Sequence, residues 1–156
     1  MESNHSYHLL FKYVLLGAGL VIISVPLLSL LFPNLVEING KTGAMSPISS
    51  SLFGIIGVIL IVLFLSIKDK FAVVKIGNQT ITIKQNGKVY TFQWMEIESV
   101  TQFQFVFPPL YKLTIKDNEK TVWFNTEPTY TSIGGYTTDN SEMGNLIKKM
   151  KRELSL

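Results

Sequence analysis

A chain of 156 residues has the length of one ordinary domain, yet only 16% of it is charged, against roughly a quarter in a typical soluble domain. Its 47% apolar content and mean hydropathy of +0.29 exclude a uniformly solvated globule. The chain lacks Cys, which excludes disulfide scaffolds, Cys-ligated zinc, iron–sulfur clusters and thiol nucleophiles.

The charge deficit is local. Residues 1–67 carry only Glu2, Lys12, Glu37 and Lys41, and every other charged side chain lies in 68–156. Two uncharged apolar runs, 13–32 and 48–67, each supply the ~20 residues that cross a ~30 Å hydrocarbon core as a helix. They predict helices over about 9–32 and 48–67, a transmembrane hairpin occupying residues 1–70. The first run exceeds the ~7–15 apolar residues of a signal peptide, and no small-x-small cleavage site follows it, so it reads as an uncleaved anchor. Lys12, Lys68, Lys70, Lys75 and Lys84 flank the hairpin on one side and Lys41 alone lies on the other, which places both termini in the cytoplasm. Pro26 should bend the first helix, with Ser24 and Ser29 near the freed backbone groups. Gly17 and Gly19 on one helix, and Ser50, Gly54 and Gly57 on the other, form small-residue stripes. These stripes serve packing of the hairpin on itself, on another membrane subunit or on a second copy. No ionisable residue lies near either span's centre, which argues against an ion or proton path.

From residue 71 the pattern turns to short runs of period two. Strands are expected at 71–76, 80–85, 88–94, 100–107, 110–116 and 120–125, with a seventh around 129–133. Asn86-Gly87 is a hairpin turn, and Asp117-Asn118-Glu119 another. Phe103, Phe105 and Phe107 would share one face, and Pro108-Pro109 ends that strand. Tyr111, Leu113 and Ile115 would point inward, Lys112 and Lys116 outward. Asp139 with Glu142 three residues on reads as a capping box. It opens a helix whose apolar stripe is Met143, Leu146, Ile147, Met150 and Leu154.

Phe92, Trp94, Glu96, Ile97, Ser99 and Val100 form a segment that resembles the corresponding stretch of bacterial pleckstrin-homology-like domains, in which an aromatic strand runs into a short acidic turn and then an apolar strand. The terminal helix, and a preceding pair of transmembrane helices, also occur in such proteins. The resemblance implies an α+β domain over 71–156: six or seven antiparallel strands as a curved sheet or partly open barrel, capped by the C-terminal helix. It would lie on the cytoplasmic side of a bacterial inner membrane. In headgroup-binding members of the larger family, basic residues cluster at the first hairpin turn. Here that turn, Gly77-Asn78-Gln79, carries no Lys or Arg.

No phosphate loop, nucleophile elbow, metal cluster or His-supported nucleophile stands out, so neither a catalytic site, a cofactor nor a metal is expected. Glu96 and Glu98 read as a solvated turn. The sole Arg, Arg152, and the absence of a basic stripe argue against nucleic acid. The remaining expectation is a non-enzymatic interaction module at the membrane surface that binds a protein partner or a second copy. Its candidate contacts are Trp123, Tyr130 and Tyr136. Trp123 either faces outward or packs under the last helix. The alternative is a sensor of anionic lipid, with Lys68, Lys70, Lys75, Lys149 and Arg152 as candidate contacts.

Overall fold

The computed structural model describes residues 1–35, 37–38, 41–116, 120–154 and 156; the turn expected at 117–119 lies outside the described residues. The chain forms two compact units, one made of Phe11–Lys68 and the other of Met1–Leu10 with Asp69–Leu156.

The first unit holds most of α1 (His5–Leu31) and all of α2 (Pro47–Ile67), both long and apolar enough to cross a bilayer. Short strands β1 (Glu37–Ile38) and β2 (Lys41–Thr42) pair antiparallel between them. The Ser46 side chain accepts from the Ser49 N–H at 3.2 Å and Pro47 follows it, so α2 starts on a capped end whose first helical residue needs no donor. The two helices meet at Gly19 and Gly57. A methyl at Gly19 would stand 2.9 Å from Ile61 Cγ1 and 3.0 Å from the Gly57 carbonyl oxygen, and one at Gly57 would collide with Ile23. Two of the five expected small residues are therefore used inside the hairpin, while a methyl at Gly17 or Gly54 would meet nothing within 4 Å. The serines around Pro26 divide their roles. Ser24 donates to the Val21 carbonyl at 2.7 Å, whereas Ser29 is buried and accepts from the Met45 N–H at 2.6 Å, tying the connecting loop to α1.

Among the described residues of the second unit, eight antiparallel strands form three small sheets, followed by helix α3 (Glu142–Leu154). One sheet is β3 (Val73–Ile76), β4 (Thr80–Gln85) and β5 (Lys88–Gln93). The next is β6 (Ile97–Phe103), β7 (Leu110–Ile115) and β8 (Thr121–Asn125). The third is the hairpin of β9 (Tyr130–Ile133) and β10 (Tyr136–Asp139). Asn86 and Gly87, at φ of 50° and 75°, make the tight turn that their sequence predicts between β4 and β5. The first two sheets are joined through residues 70–72. The Trp123 N–H donates to the Lys70 carbonyl at 2.7 Å, and the Ala72 N–H to the Trp123 carbonyl at 2.9 Å. The N-terminal residues extend the β3 edge, with Ser3 N–H on the Val74 carbonyl and Ile76 N–H on the Met1 carbonyl. This folds the tail back, so that His8 lies buried with its ring 6.3 Å from that of Phe71.

One core fills the space between both three-stranded sheets and α3. Alternation supplies it: Val74, Ile76, Ile81 and Ile83 from the first sheet, Val100, Leu113, Ile115, Val122 and Phe124 from the second, and Met143, Ile147 and Met150 from the helix. Tyr111, Leu113 and Ile115 point inward and Lys112 and Lys116 outward, as their period requires. Trp94 sits in a single 3-10 turn (Trp94–Glu96), buried, and its indole donates to the Gly77 carbonyl at 2.9 Å.

Three local readings change. The strand expected at 100–107 ends at Phe103, because Phe105 adopts φ of 62° and cannot continue a pleat. The segment 129–139 holds two strands, β9 and β10, rather than one. Asp139 is the last residue of β10, not a helix cap. Ser141 takes that role, its hydroxyl accepting from the Gly144 N–H at 3.0 Å.

Candidate functional site

Two exposed regions of the sheet unit gather chemistry. The first is built on the β9–β10 hairpin. Gly134 and Gly135, both at positive φ (58° and 85°), form its two-residue turn and bring Ile133 opposite Tyr136. The outer backbone edge of β10 is satisfied by side chains in place of a strand: the Thr137 carbonyl accepts from Gln102 Nε2 at 2.8 Å, and its N–H donates to Gln104 Oε1 at 3.2 Å. This pins the hairpin beside the segment that follows β6. Two ring pairs result, Phe105 with Tyr136 at 5.3 Å and Phe107 with Tyr130 at 5.7 Å. A methyl on Gly135 would lie 2.7 Å from the Phe105 ring, so the glycine leaves this ring the room it occupies against the turn. The surface is apolar and open: Ile133 is 82% exposed, Tyr136 64% and Phe105 61%. No charged residue occurs in 100–110 or 128–138. β9 has no strand on its far side among the described residues.

Beneath the hairpin lies its anchor. Asp139 is fully buried; its carboxylate accepts from the Thr126 hydroxyl at 2.7 Å and from the Ser141 N–H at 2.8 Å. Lys148 of α3 donates to the Asp139 carbonyl. Gly144 leaves the room this carboxylate occupies, since any Cβ there would overlap it. Tyr111, stacked on Phe124 at 5.5 Å, has its phenol pushed well above the usual range by burial and, secondarily, by the Asp139 charge.

The second region is a hollow of about 470 Å³ lined by Lys70, Phe103, Lys112, Thr121 and Trp123. Trp123 is half-buried, its ring edge-on to Phe71 at 5.6 Å and to Phe103 at 5.2 Å, with Lys70 Nζ 5.3 Å from its ring centroid. It lies on the outward face of β8, opposite to Val122 and Phe124, and aromatic neighbours on that same face cover half of it.

The expected partner contacts are therefore split. Tyr130 and Tyr136 share the hairpin, whereas Trp123 belongs to the other region and stacks with neither. The expected lipid contacts are not gathered either. Lys70 lines the hollow, Lys75 pairs across from Glu2 at the β3 edge, Lys149 lies 3.9 Å from Glu153, and Arg152 Nε donates to the Lys148 carbonyl at 3.3 Å. Lys68 belongs to the helical unit as the C-cap of α2. Phe105, Phe107, Ile133 and Lys112 were not expected as surface contacts. The aromatic alternation over 103–107 predicts one strand face instead. No group of three or more His, Asp or Glu gathers among the described residues. No family model, curated protein or solved structure matches this chain.

Proposed function

We propose that this chain is a membrane-anchored, non-enzymatic interaction module that binds a protein partner through the uncharged aromatic surface of the β9–β10 hairpin. The observation that carries the reading is the exposed set Phe105, Phe107, Tyr130, Ile133 and Tyr136, whose four aromatics form two ring pairs against a hairpin with a locked inner face. Water-exposed aromatic clusters on an otherwise well-packed domain mark association surfaces. An open strand edge beside them offers backbone hydrogen bonds as well. The partner is accordingly an apolar protein surface with a strand or extended segment to lay along β9; with no charge on this face, affinity comes from apolar contact and backbone pairing.

The membrane anchor rests on the two apolar helices α1 and α2, cytoplasmic termini on the lysine distribution, and a bacterial inner membrane on the resemblance to bacterial pleckstrin-homology-like proteins alone. The succession of antiparallel strands and an amphipathic C-terminal helix, with Phe92 to Val100 between β5 and β6, supports a pleckstrin-homology-like reading of the sheet unit. The test is co-purification of the full chain in mild detergent. The wild-type chain retains a defined protein partner in stoichiometric amount. The double change Ile133→Ser with Tyr136→Ser loses at least tenfold of it while the chain stays folded. A chain recovered alone, or a partner indifferent to the double change, would contradict the proposal.

A further inference from the structure

The hollow around Trp123 carries a second, chemically different assignment. Lys112 on β7 stands directly opposite Trp123 on β8, and Thr121 precedes Trp123 by two residues on the same strand face. Lys70 is fixed in place by its backbone bond to the Trp123 N–H, and its ammonium is held against the indole. Both lysines line the same hollow, and neither has a carboxylate within 4.0 Å among the described residues, where the one side-chain ion pair is Lys149 with Glu153. Two lysines lining one hollow with no carboxylate beside them make it a positively charged concavity that favours an anion. A volume of about 470 Å³ is within the range of small-ligand sites.

We propose that Lys70, Lys112 and Thr121, over the aromatic wall of Phe103 and Trp123, bind the phosphate of a net-anionic phosphate ester. The two ammoniums would pair with its oxygens, the Thr121 hydroxyl would donate to it, and the rings would cover the attached carbon chain. One source is a phospholipid headgroup. This rests on α2 spanning the bilayer, because Lys70 follows the last α2 residue, Ile67, by three residues, which is at most ~11 Å of chain. The other source is a soluble phosphate ester.

Tryptophan emission of the full chain separates these sources. One arm places the protein in nanodiscs of phosphatidylcholine alone or with phosphatidylglycerol added. The other titrates the detergent-solubilised chain with glycerol 1-phosphate. The expected result is a phosphate-dependent change in emission that Lys70→Ala with Lys112→Ala weakens at least tenfold and Lys149→Ala with Arg152→Ala leaves unchanged. Both pairs retain Trp94 and Trp123. A response in the phosphatidylglycerol discs alone identifies the headgroup; a response to glycerol 1-phosphate as well identifies a site open to either source. No response in either arm, or an equal response in the Lys70/Lys112 variant, overturns the proposal. If the chain fails to enter nanodiscs the membrane reading fails by itself, and the glycerol 1-phosphate arm still decides the site.

Discussion

The two sides of β10 are made of neighbouring residues and do opposite things. Thr137 and Asp139 are buried, and Asp139 ties the strand to Thr126, to Ser141 and, through its carbonyl, to Lys148 of α3. Tyr136 and Thr138, one position removed in each case, face outward, and Tyr136 joins Phe105 in an open aromatic surface. A surface of this kind on a loose loop would pay for its ordering each time it bound. Here the polar lock below has already fixed it, which is how a binding segment gains from a rigid scaffold. On the proposed reading, stability and recognition are divided between alternate residues of one strand, and the substitutions below test that division in descending order of effect.

The largest effect should follow from breaking the lock. Asp139→Ala leaves the Thr126 hydroxyl and the Ser141 N–H buried without their acceptor, a loss of about 3 kcal/mol. Urea unfolding of the full chain in detergent, followed by tryptophan emission, measures it. Gly144→Ala acts on the same point from the helix side by driving a methyl into the carboxylate, and should cost about 2 kcal/mol in the same assay.

Alkaline pH probes the lock without mutation. The folded state holds the Tyr111 phenol neutral above its ordinary value of 10.0, through burial first and the Asp139 charge second. Its contribution to stability is complete below pH 10. It falls as pH rises further, by about 1 kcal/mol per unit, because only the unfolded chain ionises there. Tyr111→Phe should remove that part of the alkaline slope while leaving the remainder. An unchanged slope would mean that the Tyr111 phenol is not insulated as described.

The smallest effect on stability belongs to the outward side. Ile133→Ser and Tyr136→Ser should each shift unfolding by no more than about 0.5 kcal/mol, the usual range for exposed positions. Their effect should fall on association alone. A loss comparable to that of Asp139→Ala would show that the outer surface is part of the core and would dissolve the division of labour.

How much of this was legible follows from the range of the interactions involved. Asn86-Gly87, the alternation over 110–115 and the apolar stripe of α3 are local signals, and each produced the element it implied. The break at Phe105 was not local. Phe103, Phe105 and Phe107 alternate as a strand would, but Gln102 and Gln104 reach across to Thr137 and commit this stretch to the hairpin. Asp139 and Glu142 had the spacing of a capping box, yet the carboxylate was drawn into a buried pocket that only the fold assembles from Thr126 and Gly144. Alternation with Val122 and Phe124 puts Trp123 on the outward face, but its covering neighbours, Phe71 and Phe103, lie far from it in the chain and have no local signature. The hollow has no local signature for the same reason, since Lys70 and Lys112 come from separate segments.

The central claim is that the outward side of the hairpin is a protein-binding surface, and site-specific photocrosslinking tests it most directly. A photoreactive residue is placed in the full, membrane-inserted chain at Ile133, and in a second variant at Val89, an equally apolar exposed residue on β5. The account predicts an adduct to one defined protein from position 133 and none from position 89. No adduct from 133, the same adducts from both positions, or attachment of position 133 to phospholipid instead of protein would contradict it.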